Sequence, residues 1–277
     1  MVADGVTLRR LETQADYDEA VALQDETWGA GFSDRVPAAI LRVAQKVGGV
    51  SAGAFDADGR LIGFVFGLTG VRDGRLVHWS DMLAVREEAR GRHLGDRLKQ
   101  YQRALVRAVG VEVMYWTFDP LVARNAHFNL NRLGARIAEY VPNLYGSNTG
   151  SVLHGALPTD RFVAEWDLAG APDGRGGDVT AYGTPPAGVP PLATVASEHQ
   201  VRLADPLPDA TTVRVQIPPD IERVLAAHAA AALAWRLATR DAFLHYLSRG
   251  YRVTAFDRGD ADRLPSYELT RLPHHPA

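Results

Sequence analysis

The chain has 277 residues, 46% of them apolar, no cysteine, and a formal net charge of -3 at neutral pH. The lack of Cys removes disulfides, thiol nucleophiles and thiolate metal sites, and the scattered Arg residues form no basic stripe of the kind that binds nucleic acid. There is no basic-then-apolar leader and no apolar run near the roughly eighteen residues of a membrane span, so the expected location is the cytoplasm, with no membrane contact.

Residues 6–11 read as a strand, residues 16–28 and 36–46 as helices, and residues 50–55 and 61–68 as two strands joined by Asp56-Ala57-Asp58-Gly59-Arg60, which has hairpin chemistry. A buried strand then runs to Val85, followed by the short basic turn Arg90-Gly91-Arg92-His93-Leu94-Gly95. After the turn, Leu94, Leu98, Tyr101, Leu105 and Val109 recur at helical spacing. A turn feeding a helix start offers main-chain N–H donors and the positive end of the helix dipole, a natural seat for phosphate oxygens, and Arg90, Arg92 and Arg97 add charge around it. No Gly-x-x-x-x-Gly-Lys-Ser/Thr loop is present, nor Gly-x-Gly-x-x-Gly after the first strand, which excludes the two commonest nucleotide folds. Next come a strand over 111–118, an amphipathic helix over 125–133 closed by Gly134, and strands over 135–141 and 152–157. Phe162 to Leu168 reads as an extra strand, and Arg161 before it either holds a substrate carboxylate or pairs with Asp160.

From Ala169 onward Pro and Gly are too dense for regular structure, which predicts a linker over 169–210 between a domain of residues 1–168 and a module of residues 211–277. In that module a strand over 212–217 precedes an Ala-rich helical stretch from Ile221 to about Ser248, then Gly250 and strands over 251–256 and 266–272. Aligning Gly134 with Gly250 gives a weak internal repeat of helix, Gly, strand; a duplicated half-fold and a common joint explain it equally well.

Arg90-x-x-His93-x-Gly95 resembles motif A of the GNAT superfamily, the acyl-coenzyme-A-dependent N-acyltransferases, whose pattern is Arg/Gln-x-x-Gly-x-Gly/Ala; His93 replaces the middle Gly. The order of strand, two helices, three strands, helix, strand, helix and two strands is also the GNAT order, and residues 116–134 resemble a bacterial subgroup of predicted acetyltransferases. The resemblance implies an α/β (α+β) fold with a mixed sheet, with the C-terminal module as an extension beyond the usual length of that fold. The implied cofactor is acetyl-CoA or another acyl-CoA, held at Arg90, Gly91, Arg92, His93, Leu94, Gly95 and Asp96, with the main chain of Leu83, Ala84 and Val85 on the pantetheine and thioester. Asn125 and Asn129, one helical turn apart, either share a face toward pantetheine or brace the local loop. The implied partner is a small-molecule amine, an amino acid among the candidates, with a homodimer compatible and no metal. Asp81 is the expected general base, with His78 and Asp119 as alternatives. Leu130 stands where the family commonly has an acidic Tyr, which leaves Tyr145, Tyr140 and Tyr246 as donors to the leaving thiolate, Tyr145 preferred; Tyr246 reads more readily as core. The Leu130 and His93 departures keep open the alternative of a non-catalytic acyl-CoA-binding module.

Overall fold

The computed structural model describes residues 2–3, 5–146, 150–151, 157–169, 190–196 and 201–272. They fall into two compact units: the described residues of Met1–Trp116, Asn148–Gly155 and Trp166–Pro172, and those of Thr117–Ser147, Ala156–Glu165 and Asp173–Ala277. This division differs from the expected 1–168 and 211–277, because the second unit also draws on residues before 168.

The first unit is built on a mixed sheet in the order β1 (Val2–Ala3), β2 (Val6–Arg10), β3 (Val50–Phe55), β4 (Leu61–Arg72), β5 (Arg75–Val85), β6 (Val113–Phe118), the last strand reaching into the second unit. All pairs are antiparallel except β5 with β6. Helix α1 (Gln14–Trp28) starts at a capping box in which Thr13 and Asp16 satisfy each other's main-chain amides. It packs with α2 (Ala38–Lys46) on one sheet face, where Tyr17, Leu23 and Leu41 meet Phe64, Phe66, Met82 and Ala84. Helix α3 (Leu94–Arg107) covers the other face, and Gly63 leaves room for its Leu98. The turn at Asp56–Arg60 forms as expected: Asp56 Oδ1 accepts from the amides of Asp58 and Arg60, and Gly59 takes φ +82°.

The buried face of α3 is Leu94, Leu98, Lys99, Gln102, Arg103 and Val106, whereas Tyr101 and Leu105 are half-buried and Val109 is exposed. The apolar spacing therefore pointed partly to the wrong stripe, because three polar side chains occupy the inner one.

In the second unit β7 (Arg136–Val141) pairs antiparallel with β8 (Arg161–Asp167). The expected strand over 152–157 lies mainly outside the described residues. A three-stranded sheet has the order β11 (Thr212–Gln216), β13 (Ser266–Arg271), β12 (Tyr251–Asp257), with α5 (Ile221–Ala227) and α6 (Ala229–Leu247) before β12. Short strands β9 (Thr194–Ala196) and β10 (Val201–Leu203) pair within the stretch expected to be a structureless linker. Phe162 of β8 lies 4.8 Å from Phe243 of α6, 5.3 Å from Tyr267 of β13 and 5.8 Å from Phe118, ring centre to ring centre. One aromatic core thus joins residues before 168 to the C-terminal segment. Gly134 before β7 and Gly250 before β12 both have positive φ, and each strand then pairs with an antiparallel neighbour, so the two joints share geometry.

Candidate functional site

Strand β5 pairs with β4 to its end, through Val65↔Leu83, Phe64↔Ala84 and Gly63↔Val85. Its register with β6 stops at Trp79↔Tyr115, six residues earlier. Arg86 then anchors the chain, its Nε donating to the Leu61 carbonyl at 2.8 Å and its guanidinium pairing with Glu26. A single helical turn, Glu87–Ala89, leads into the basic segment.

Arg90, Gly91, Arg92 and His93 are exposed, and Leu94 is buried as the hydrophobic anchor of α3. Gly91 has φ +80°, and His93 sits in the left-handed region at φ 56°, ψ 23°. That is the conformation a glycine adopts without cost; for His it costs about 1–2 kcal/mol, although His tolerates it better than branched residues do. No side chain caps α3, so the amides of its first positions, Leu94 and Gly95, have no intrahelical acceptor. Gly95 itself has no positive φ, and a Cβ there would meet only Leu83 Cδ2, at an ordinary 3.6 Å. The fold therefore does not require glycine at 95; a ligand approaching the main chain would.

Asp81 is the extra residue of a β-bulge, since Ser80 pairs with Gly67 and Met82 with Phe66. The bulge changes which way the strand faces. Before it, His78 and Ser80 point to α3; after it, Met82 and Ala84 join the α1/α2 cluster and Leu83 lies toward α3. Asp81 retains solvent exposure, yet the surrounding protein raises its carboxyl above the ordinary value, Asp34 adds to the rise, and a hydrogen bond with Trp79 partly offsets it.

His78 is not available as a base. It is fully buried, and burial, helped by Lys99, lowers its pKa to about 3. Thr69 Oγ1 donates to the Gly48 carbonyl at 2.7 Å, so it accepts from His78 Nδ1 at 2.9 Å; His78 Nε2 then accepts from Gln102 Nε2 at 3.0 Å. Ser80 Oγ donates to Gln102 Oε1 at 2.9 Å and accepts from Lys99 Nζ at 2.7 Å. Six groups thus form one chain of donors all pointing the same way, which reinforces each bond. Lys99 has no carboxylate in this chain; it lies 4.0 Å from the centre of the Trp116 ring, and burial lowers its pKa to about 7.

Lys99 therefore loses its proton near pH 7 in the folded state but keeps it to its ordinary 10.5 when unfolded. The unfolded chain binds more protons between those values, so stability rises with pH across that window by up to about 1.4 kcal/mol per unit. Urea unfolding at pH 7.5 and 9 is expected to show this rise in the native protein and a flat response in Lys99→Met.

The remaining expected residues lie in the second unit. Tyr145 is 38% exposed, its hydroxyl 2.7 Å from Thr117 Oγ1. Tyr140 donates to Asp160, and burial strongly raises its pKa. Tyr246 is core, its hydroxyl donating to the Pro208 carbonyl, with burial pushing its pKa up to about 12. Helix α4 (Ala123–Ala126) widens into a π-type turn over His127–Arg132, with Asn125 exposed before the turn and Asn129 buried within it. Asp119 is ion-paired with Arg236 at 2.5 Å and accepts from the Leu121 amide, so it is not an open base. Arg161 donates to the main-chain oxygen of Asp160, not to its carboxylate.

Among the described residues no group of three or more His, Asp or Glu is placed to hold a metal ion, and no helix is long and apolar enough to cross a membrane. No family model matches the chain, and no curated protein does. Among solved structures, it is similar to an N-acetyltransferase from Staphylococcus aureus, at 14% identity and a TM-score of 0.47 over 59% of this chain and 98% of that one. It is also similar to the ribosomal-protein-S18-alanine N-acetyltransferase from Escherichia coli, at 16% identity and 0.46 over 60% and 96%. A phosphinothricin acetyltransferase from Sinorhizobium meliloti, in complex with acetyl-CoA, gives 17% and 0.47 over 59% and 89%.

Proposed function

We propose that the chain is an acyl-CoA-dependent N-acyltransferase of the GNAT type, moving an acetyl or succinyl-type group to the amine of a small molecule. The observation that carries this reading is the turn from Arg90 to Asp96: a left-handed bend opens onto uncapped helix amides beside a glycine that the protein itself does not need. That cradle suits a diphosphate, with Arg90 and Arg92 supplying charge. The main chain of Leu83, Ala84 and Val85, where the β6 register has already ended, is assigned to the pantetheine arm. When bound, the cofactor supplies a thioester carbonyl open to nucleophilic attack.

Asp81 is assigned to take the proton of the acceptor ammonium, and its raised pKa suits the task by making the carboxylate a stronger base. A main-chain amide at the end of β5 is assigned to the developing oxyanion. Tyr145, an exposed residue whose hydroxyl bonds Thr117, is the assigned proton donor to the departing thiolate. Asn125, exposed on α4, and Asn129, buried in the turn that follows, are assigned to the pantetheine amides.

A free-thiol assay with acetyl-CoA and succinyl-CoA against amino acids and polyamines tests the reading. Asp81→Asn is expected to lower kcat by roughly 10²- to 10⁴-fold, the usual worth of a general base. Because the pKa is raised, the acid limb of the native rate profile should lie above the ordinary carboxylate range and vanish in the variant. Removing a charge that folding disfavours should also leave Asp81→Asn slightly more stable at neutral pH. A native rate in the variant removes Asp81 from the mechanism. The absence of Tyr at Leu130 favours the non-catalytic module as second reading; CoA binding with no turnover on any acceptor selects it.

A further inference from the structure

Strand β5 loses its neighbour on one side just where the proposed base sits. Its register with β6 ends at Trp79, so among the described residues Ser80 has a strand partner only on the β4 side, and Asp81, which that ladder skips, has none. A strand held along one edge and interrupted by a bulge has few main-chain bonds to fix the direction of the side chain at the break. Helix α3 supplies what the sheet does not. Ser80 Oγ, buried one residue before the bulge, accepts from Lys99 Nζ at 2.7 Å and donates to Gln102 Oε1 at 2.9 Å. Two residues earlier His78 is held between Gln102 and Thr69. All of these groups lie in the first unit.

An amine is an unfavourable choice for a merely structural position here. The Lys99 nitrogen is surrounded by Ser80 Oγ, the Met114 sulfur at 3.9 Å and the Trp116 ring at 4.0 Å, and burial lowers its pKa to about 7. A Met or Leu would pack in that setting without burying a polar group. What the amine adds is a donor on the second side of the Ser80 hydroxyl. The Gly48 carbonyl at the far end of the chain can only accept, so Ser80 must donate toward Gln102, and Lys99 fills the lone pair that remains. Two bonds fix the Ser80 side chain, and through it the main chain that leads into Asp81, more firmly than one.

We propose that Lys99 and Ser80 are positioning residues for Asp81: the grip of α3 on Ser80 holds the bulge that turns the Asp81 carboxylate to the acceptor amine. The acceptor part of this proposal rests on the reading of Asp81 as the base; the grip on the carboxylate does not. Lys99 and Ser80 are both buried, so their influence passes through the main chain from residue 80 to residue 81. Loosening that grip would let the carboxyl swing and gain water. It would then meet the amine in poorer geometry, and its pKa, held up by the surrounding protein, would fall back toward the ordinary value.

Lys99→Met tests the proposal, because an apolar side chain of similar length suits Met114 and Trp116 and should leave the fold at least as stable at pH 7. Its kcat is expected to fall by roughly 10- to 100-fold, the scale set by a displacement of about 1 Å, while CoA binds with native affinity. Ser80→Ala, which removes the gripped hydroxyl, should behave alike. In an Asp81→Asn background Lys99→Met should lower the rate no further, since the group it positions is already lost. A second arm needs no turnover: carbon-13 titration of the Asp81 carboxyl should give a lower midpoint in Lys99→Met than in the native chain. A protein that acylates no amine but shows this lower midpoint refutes the acyl-transfer reading and keeps the grip. A native kcat in folded Lys99→Met, an undiminished loss in the Asp81→Asn background, or an unchanged Asp81 midpoint each overturns the proposal. If Lys99→Met does not fold, Ser80→Ala is read in the same two arms.

Discussion

Gly67→Ala is expected to destabilise the first unit by about 3–5 kcal/mol, combining the usual costs of overpacking and of stranded buried polar groups. A Cβ at 67 would lie 2.3 Å from His78 Nε2, 2.6 Å from the Trp79 carbonyl and 2.9 Å from Gln102 Nε2. None of these can yield cheaply. The first and third are the two ends of the bond that joins β5 to α3, and the second is main chain one residue from the Ser80 pair that flanks the bulge. Opening that bond would leave an imidazole and an amide buried without partners. Gly70 on the same strand is the control: a Cβ there meets nothing within 4 Å, so Gly70→Ala should stay within about 0.5 kcal/mol of the native protein. Urea midpoints compare the two, and a Gly67→Ala midpoint equal to that of Gly70→Ala contradicts the packing described for His78 and Gln102.

Gly95→Ala is expected to act in opposite directions on stability and binding. Glycine in a helix costs about 0.5–1 kcal/mol relative to Ala, and the new methyl has room beside Leu83, so the folded state should gain roughly that amount. The same methyl would stand where a diphosphate must approach the helix amides. Losing two charge-assisted hydrogen bonds, at about 1.5 kcal/mol each, corresponds to a roughly 10²-fold weaker CoA complex, and Gly95→Leu should weaken it further. Thermal unfolding and CoA titration of the same sample separate the effects. A variant with both native stability and native affinity would show that nothing approaches this main chain.

Legibility in the sequence followed the range of the interactions. The Asp56–Arg60 turn, the end of β5 at Val85 and the start of α3 at Leu94 were readable because local chemistry sets them: an Asx side chain, a positive-φ glycine, a buried anchor after an exposed basic run. The inner stripe of α3 was not, because Lys99 and Gln102 are buried by partners on β5, far away in sequence. The bulge at Asp81 depends on the register with β4, which no single strand records. The widening of the helix into a π-type turn over His127–Arg132, and the burial of Asn129 against the exposure of Asn125, left no mark in the local spacing. The core around Phe162 was hidden for a similar reason: Phe243 and Tyr267 come from segments about eighty and a hundred residues away, and their pairing follows from topology rather than local pattern.

The most direct measurement is a calorimetric titration of the native chain with CoA and, separately, with pantetheine, which lacks the diphosphate. With the amides of Leu94 and Gly95 as the seat of that group, CoA should give saturable heat and pantetheine should bind at least roughly tenfold more weakly. No heat with CoA, or equal affinity for the two, would contradict the account.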